Sequence, residues 1–424
     1  MMRNRCGPGR AVLAAAWCAA LAAAAPEARP QTAAPGDTAG PLGPVAVIRP
    51  AGGPLVVVRE QPESRLVAMR VSVALREPAG EAARVLAEVV RPRLESGAAE
   101  LGARATVQLG PAHLVFRVVG PAGEFERLAT LLRRGLAAPA GTTATALDAA
   151  RIQARARAAA ELDTPGPLLR SMLRDALFPG LAGTRGEEGG AAPLTAGRLA
   201  EWWAASARPS RVTVTVAGGV EAARVAAAFE DWPAARAARE RERDPPGPAP
   251  PGAPPPAAQV VYRAAGLGYR AQRLDPAPLA VAAALVERQL SRSGIPGATA
   301  EVWWSGGNKA LVVFASERAE AAGRDGHAGA PLRERLEAAI ADVADRPAAA
   351  EVLRARRRLV RDILFAARTA EGMAEVLGQM LDRTGEPTAA HRFVAALRRV
   401  DPRAVQAALR ALGRTRPEAV EVAP

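Results

Sequence analysis

Imidazole and thiol side chains, the groups most often used to bind zinc or to act as strong nucleophiles and bases, are scarce in this chain and scattered along it. It has three histidines, His113, His327 and His391, and two cysteines, Cys6 and Cys18, in 424 residues. A zinc site needs imidazole, thiolate or carboxylate groups converging on one ion, often two of them a turn apart on a helix. No histidine here has an acidic or histidine partner at ligand spacing, so all three are expected to be solvated or hydrogen-bonded. Serine catalysis fares no better, with no Gly-x-Ser-x-Gly turn and only those three imidazoles as bases. Gly266-Leu-Gly268 lacks the third glycine and the helix start of a dinucleotide site and reads as a bend in a strand. Neither metal nor organic cofactor is expected. The aromatic pairs Trp202-Trp203 and Trp303-Trp304 could anchor a peptide or a partner. Adjacent strand residues point to opposite faces, so one of Trp303 and Trp304 should be exposed unless the other half of the chain or a second subunit covers it.

The N-terminus accounts for both cysteines. Arg3, Arg5 and Arg10 precede an apolar stretch from Ala11 to Ala25 that ends in small residues before Pro26, the anatomy of an export signal cleaved near Ala25. The exported chain, periplasmic or secreted, then has no thiol and draws its stability from burial. No later window is long and uncharged enough to span a membrane. The formal charge is +13, and removing the three signal arginines leaves +10. This charge does not imply nucleic-acid binding: Lys309 is the only lysine, acids alternate with arginines along the helices, and no basic stripe interleaved with aromatics occurs.

Residues 26–44 are a Pro/Gly/Ala lead-in too poor in large apolar groups to order itself. Residues 244–258, about half proline, read as a semi-stiff linker between two domains, 45–243 and 259–424. In the first domain, periodicity gives strands at 55–58 and 66–75, a helix at 81–94 stopped by Gly97, a hairpin around Gly110-Pro111, helices at 124–136, 145–163, 167–177 and 195–207, a strand at 211–216 and a helix at 220–229. In the second, strands at 259–263 and 269–274 precede a helix at 278–291 and a hairpin around 305–308. Helices at 331–344, 348–384, 387–397 and 402–412 and a strand at 419–422 follow. Each half is α+β, sandwich-like, with the order of elements repeated.

Several segments together resemble the pitrilysin/insulinase-type zinc metallopeptidases, the inverzincins. Leu55-Val-Val-Val-Arg-Glu60 and Val71-Ser-Val-Ala-Leu-Arg-Glu-Pro-Ala-Gly80 look like that family's opening strands and the turn into its first helix. Leu101-Gly-Ala, Leu177-Phe-Pro-Gly180, Leu194-Thr195 and Arg211-Val-Thr-Val-Thr-Val-Ala-Gly-Gly-Val220 continue the match. In the second half, Pro347 to Gly378 resembles a long helix of the family and Val400-Asp-Pro-Arg-Ala-Val-Gln406 its last-helix signature. The resemblance spans residues 45–424 and implies two homologous halves.

It also implies a zinc site that this chain lacks. Active members carry His-x-x-Glu-His on the first helix, two imidazoles for zinc and a glutamate to activate water. By position, Arg84 stands for the first histidine, Ala87 for the glutamate and Glu88 for the second histidine. The later carboxylate ligand would fall near Gln153 to Arg157, a stretch without one; Glu161 is the nearest. The resemblance therefore implies a catalytically inactive member and pairing with a homologous zinc-bearing subunit as a heterodimer around a peptide chamber. A stand-alone envelope peptide-binding or structural protein is the alternative. Some inactive partners hold substrate with an arginine and a tyrosine, or with a glycine-rich loop, from the second half. Here Ser291 to Thr299 contains no tyrosine, which leaves Arg292, with Trp303 and Trp304, as contact candidates.

Overall fold

Valine at alternate positions builds the first sheet. Strands β1 (Ala46–Ile48), β2 (Leu55–Glu60) and β3 (Leu66–Ala74) are followed by helix α1 (Glu81–Glu100) and the hairpin β4 (Arg104–Leu109) and β5 (His113–Pro121). Next come α2 (Phe125–Ala137), α3 (Ala144–Leu162), α4 (Pro165–Leu177), α5 (Ala196–Ser206), β6 (Val212–Gly218) and α6 (Ala222–Glu230). The strands form a six-stranded sheet in the order β1-β2-β6-β3-β5-β4, with β2 and β6 parallel and every other pair antiparallel. Val67, Met69, Val71 and Val73 of β3 join Phe116, Val214 and Val216 on one face, packed against the apolar sides of α1, α2, α5 and α6. The opposite face carries Arg70, Ser72, Arg117 and Thr215.

The second sheet is smaller. Strands β7 (Tyr262–Arg270), β8 (Thr299–Ser305), β9 (Asn308–Arg318) and β10 (Glu418–Val422) pair antiparallel in the order β10-β7-β9-β8. Around them lie α7 (Pro276–Arg292), α8 (Leu332–Asp345), α9 (Ala349–Ala366), α10 (Ala370–Thr384), α11 (Ala389–Arg399) and α12 (Pro402–Gly413). Leu267, Leu311 and Val313 pack with Leu279, Val286, Leu336, Val405 and Leu409 in its core. This computed structural model describes residues 40–75, 80–110, 112–162, 165–179, 194–230, 232, 262–295, 297–305, 307–318, 331–345 and 347–422. The expected export segment with Cys6 and Cys18, most of the lead-in, the linker 244–258 and His327 lie outside them.

Each sheet is closed by a helix from the other half. Helix α10 lies on the outer face of β3 and β6, where Met373, Ala374, Leu377 and Leu381 meet Val57, Ala68 and Ala217. Reciprocally, α4 lies on β7, β9 and β10, with Leu169, Leu173 and Leu177 against Ala264, Val312 and Phe314. Those three leucines are at most 1% exposed, and burying each contributes about 1.5–3 kcal/mol. Glycine makes both approaches close. A Cβ on Gly378 would stand 2.7 Å from Arg70 Cδ, and one on Gly266 or Gly268 would stand 2.5 or 2.6 Å from Leu173 or Leu177.

Four expectations need correction. The two strands expected around Gly266-x-Gly268 are one strand: both glycines are paired, with Phe314 and Val312, and serve the approach of α4 rather than a bend. The helix expected over 348–384 breaks at Ala367–Thr369, where Thr369 caps α10 by accepting from Gly372 N–H. Gly372 fits that break because a Cβ there would lie 1.9 Å from Ala366 O. Helix α1 passes through Gly97, which packs under Leu131, and its chain reverses at Gly102 with φ 64°. Strand β1 was not foreseen; three residues are too few for periodicity to register.

Candidate functional site

Helix α1 buries Ala83, Leu86, Ala87, Val90 and Leu94 against the first sheet and turns Arg84 to solvent. Ala87 is 2% exposed and offers no polar atom. Glu88 sits at the edge of this face with its side chain 8% exposed, and it is fully engaged. Arg157 Nε of α3 lies 2.9 Å from its Oε1, and Arg91 Nη2 lies 3.3 Å from the same oxygen. Arg91 also donates to Val107 O on β4 at 2.8 Å. One carboxylate thus ties α1 to α3, while Arg91 ties α1 to the edge of the sheet. Gln153 and Arg157 share α3 with Ala154, which faces the core.

These residues do not fit a zinc ion. The available donor is a single carboxylate already neutralised by two guanidiniums, and positive charge so close opposes a cation directly. Among the described residues, no group of three or more His, Cys, Asp or Glu is placed to hold a metal. His391 is buried, with Nε2 2.7 Å from Gly43 O, as expected of a hydrogen-bonded histidine. His113 begins β5, and burial pushes its pKa down against the opposing charge of Asp382.

A second cluster, not foreseen from sequence, occupies the interface between the halves. Asp382 of α10 accepts from Arg70 Nη2 at 2.6 Å, from Ser72 Oγ at 2.9 Å and from Thr213 Oγ1 at 3.1 Å. Glu375, two turns earlier, receives a bidentate pair from Arg117 at 2.7 and 2.8 Å, with Arg70 Nε at 3.2 Å. Glu371 pairs with Arg104 of β4 at 2.7 Å. Burial alone would raise the Glu375 carboxyl. The Arg117 hydrogen bond, the Arg70 charge and a hydrogen bond from Gln379 overcome this and hold it at about 2. The Arg70 side chain is 5% exposed and Asp382 10%, so the pair is desolvated; the carboxylate accepts three hydrogen bonds, while Arg70 Nε keeps only its ionic contact with Glu375 and Nη1 has no hydrogen-bond partner among the described residues.

The contact candidates are dispersed. Trp303 lies under α4, donates Nε1–H to Glu301 at 3.0 Å and has the Arg174 guanidinium 5.7 Å from its ring; Glu301 in turn pairs with Arg170 of α4 at 2.7 Å. Trp304 is flanked by Lys309 and by Arg383 of α10, each 5.7 Å from its ring. Both indoles are only partly exposed, so neither stands free of the fold. Arg292 is elsewhere, joining α7 to α9 through Glu351 at 2.7 Å. Trp203 fills the first core, donating to Leu136 O at 2.6 Å and meeting Phe116 edge-on at 6.1 Å.

No protein-family model and no curated protein sequence matches the chain. Solved structures do. An M16-like peptidase from Alicyclobacillus acidocaldarius matches over 90% of this chain and 98% of its own, with TM-score 0.67 and 16% identity. The inactive domain of a peptidase M16 from Pseudomonas fluorescens matches over 90% and 98%, with TM-score 0.63 and 17% identity. The periplasmic protease PqqL from Escherichia coli matches over 90% of this chain but 45% of its own, with TM-score 0.60 and 12% identity. The two halves, each sheet closed by a helix of the other, therefore form the fold of the pitrilysin-type M16 peptidases.

Proposed function

We propose that this protein is an exported, non-catalytic pseudo-peptidase that pairs with a homologous zinc-bearing subunit and completes its peptide-binding chamber. The observation that carries the reading is Glu88. On a peptidase scaffold, the α1 positions that would supply zinc ligands and a base are Arg84, Ala87 and Glu88, and the one carboxylate among them is bound by Arg157 and Arg91. Where active members would join the first helix to a later one through a metal, this chain joins α1 to α3 through an ion pair. The inactive M16 domain from Pseudomonas fluorescens is a precedent for such a chain, and the periplasmic neighbour accords with export. The chain's role is then architectural: it offers a rigid wall against which a partner works, with Trp303 and Trp304 at the junction of its halves as candidate contacts.

The test is co-expression with a protein of similar size that carries His-x-x-Glu-His, followed by affinity purification, zinc analysis and a peptidase assay. A stoichiometric complex whose activity exceeds that of the zinc subunit alone supports pairing. A chain that purifies alone and leaves that activity unchanged favours the stand-alone envelope role. Stoichiometric zinc and peptide cleavage by the isolated chain would overturn both.

A further inference from the structure

Helix α9 carries five arginines, Arg354, Arg356, Arg357, Arg358 and Arg361, against two acids, Glu351 and Asp362. Between α9 and α11 runs an open groove of about 470 Å³. Its floor is apolar, formed by the partly buried Val360 and Leu364, and Phe365 stands at one end, 70% exposed. Guanidiniums form the walls: Arg357 and Arg361 on α9, Arg368 just beyond it, and Arg398 across on α11. Arg356 is engaged with Val400 O at 3.0 Å, and Arg361 with Asp362 at 3.1 Å. Arg357, Arg368 and Arg398 make no ion pair among the described residues.

Phe365, Val360 and Leu364 form one apolar strip framed by guanidiniums that have no carboxylate partner among the described residues. We infer that this groove is a docking site for an acidic peptide segment of a partner protein, one bearing a bulky apolar side chain. Charge selects the class: three free guanidiniums, planar and weakly hydrated, complement carboxylates on both sides of an apolar floor. Size selects a peptide over an anionic lipid surface: the groove holds about 470 Å³ and its apolar lining is Val360, Leu364 and Phe365, room for one or two side chains. Arg357 and Phe365 are about 12 Å apart along the helix, the span of roughly four extended residues. The inference stands apart from the pairing proposed above, because it rests on α9 and α11 alone.

Fluorescence anisotropy of the full chain, with a short fluorescein-labelled peptide of Glu and Asp around a Phe-Leu pair, tests this. Saturable binding is expected, weakened with rising salt and lowered about tenfold or more when Phe-Leu becomes Ser-Ser. Phe365→Ser should lose about tenfold, and Arg357→Glu with Arg368→Glu more. These side chains are exposed, so circular dichroism and the thermal midpoint should not move. If the charge reversal does unfold α9, Arg398→Ala on the opposite wall must still weaken binding. No binding, equal binding of the Ser-Ser peptide, or indifference to all variants would overturn the inference. So would sedimentation with phosphatidylglycerol vesicles in the absence of peptide binding, which would assign the surface to lipid.

Discussion

Arg70 and Arg117 stand directly opposite one another on β3 and β5, two cations in register on a covered face of one sheet. Opposed like charges destabilise a strand pair, yet here Glu375 of α10 contacts both guanidiniums and Asp382 takes the remaining side of Arg70. The carboxylates come from the second half of the chain, so the first sheet's charge balance is complete only when the halves are docked.

Asp382→Ala removes the carboxylate at 2.6 Å from Arg70, whose side chain is 5% exposed, and leaves it only the Glu375 contact at 3.2 Å. Removing one partner of a buried pair costs about 3–5 kcal/mol. Urea unfolding should show that loss, and Arg70→Met combined with Asp382→Leu should recover much of it. A loss below about 1 kcal/mol for Asp382→Ala would mean that water reaches the arginine.

Acid should loosen the same interface. The arginines hold the Glu375 carboxyl at about 2 in the folded chain, against roughly 4.3 when unfolded. A depressed folded value stabilises above the unfolded one, so the contribution is complete above about pH 4.5 and lost as pH falls towards 2. Wild type should therefore lose up to about 3 kcal/mol more than Glu375→Gln between pH 5 and pH 2. Parallel stability curves for the two proteins would contradict the assignment.

Close helix approach is the second device at the interface. Gly378→Leu drives a side chain into Arg70 and Thr215, and overpacking of this kind costs about 1–3 kcal/mol or more. Gly268→Leu does the same to α4 through Leu177. Both variants should lower the thermal midpoint, and Gly413→Ala, which has nothing within 4 Å of its added Cβ, should leave it nearly unchanged.

Glu88→Ala should lower the unfolding free energy by about 1–3 kcal/mol, because it removes the acceptor shared by two guanidiniums. Glu88→Gln should fall between, since one amide oxygen still accepts. If neither substitution matters, the α1–α3 ion pair adds nothing and α3 is held by the burial of Leu147, Ala150 and Ala154.

Much of this was legible in the residues. The period-two pattern of β3 separates Val67, Met69, Val71 and Val73 from Ala68, Arg70 and Ser72, and the helical spacing of α1 and α12 marked their apolar sides. The interface was half-legible. Glu371, Glu375, Gly378 and Asp382 recur at four, three and four residues and so share one side of α10. A polar strand face ordinarily means solvent, and nothing local to β3 says that a helix about 300 residues later will cover it. The same limit hid the role of Gly266 and Gly268: a glycine in a strand signals a bend or a close approach, and the choice depends on α4. The expectation for Arg84, Ala87 and Glu88 draws on one helix alone and so could be stated from the residues. That Glu88 finds Arg157 could not be read, since pairing across 69 residues depends on how α3 packs.

The exchange of α4 and α10 also sets an order of events during synthesis. When residues 46–230 have emerged, their sheet has one face packed and the other still bare, with Arg70 and Arg117 facing one another uncompensated. The missing cover is residues 370–384, close to the end of the chain. A nascent chain makes about 5–20 residues per second, so the first half waits many seconds, open along one side, for its last helix. Truncation before residue 370 should therefore leave an exposed, aggregation-prone sheet rather than a smaller folded protein.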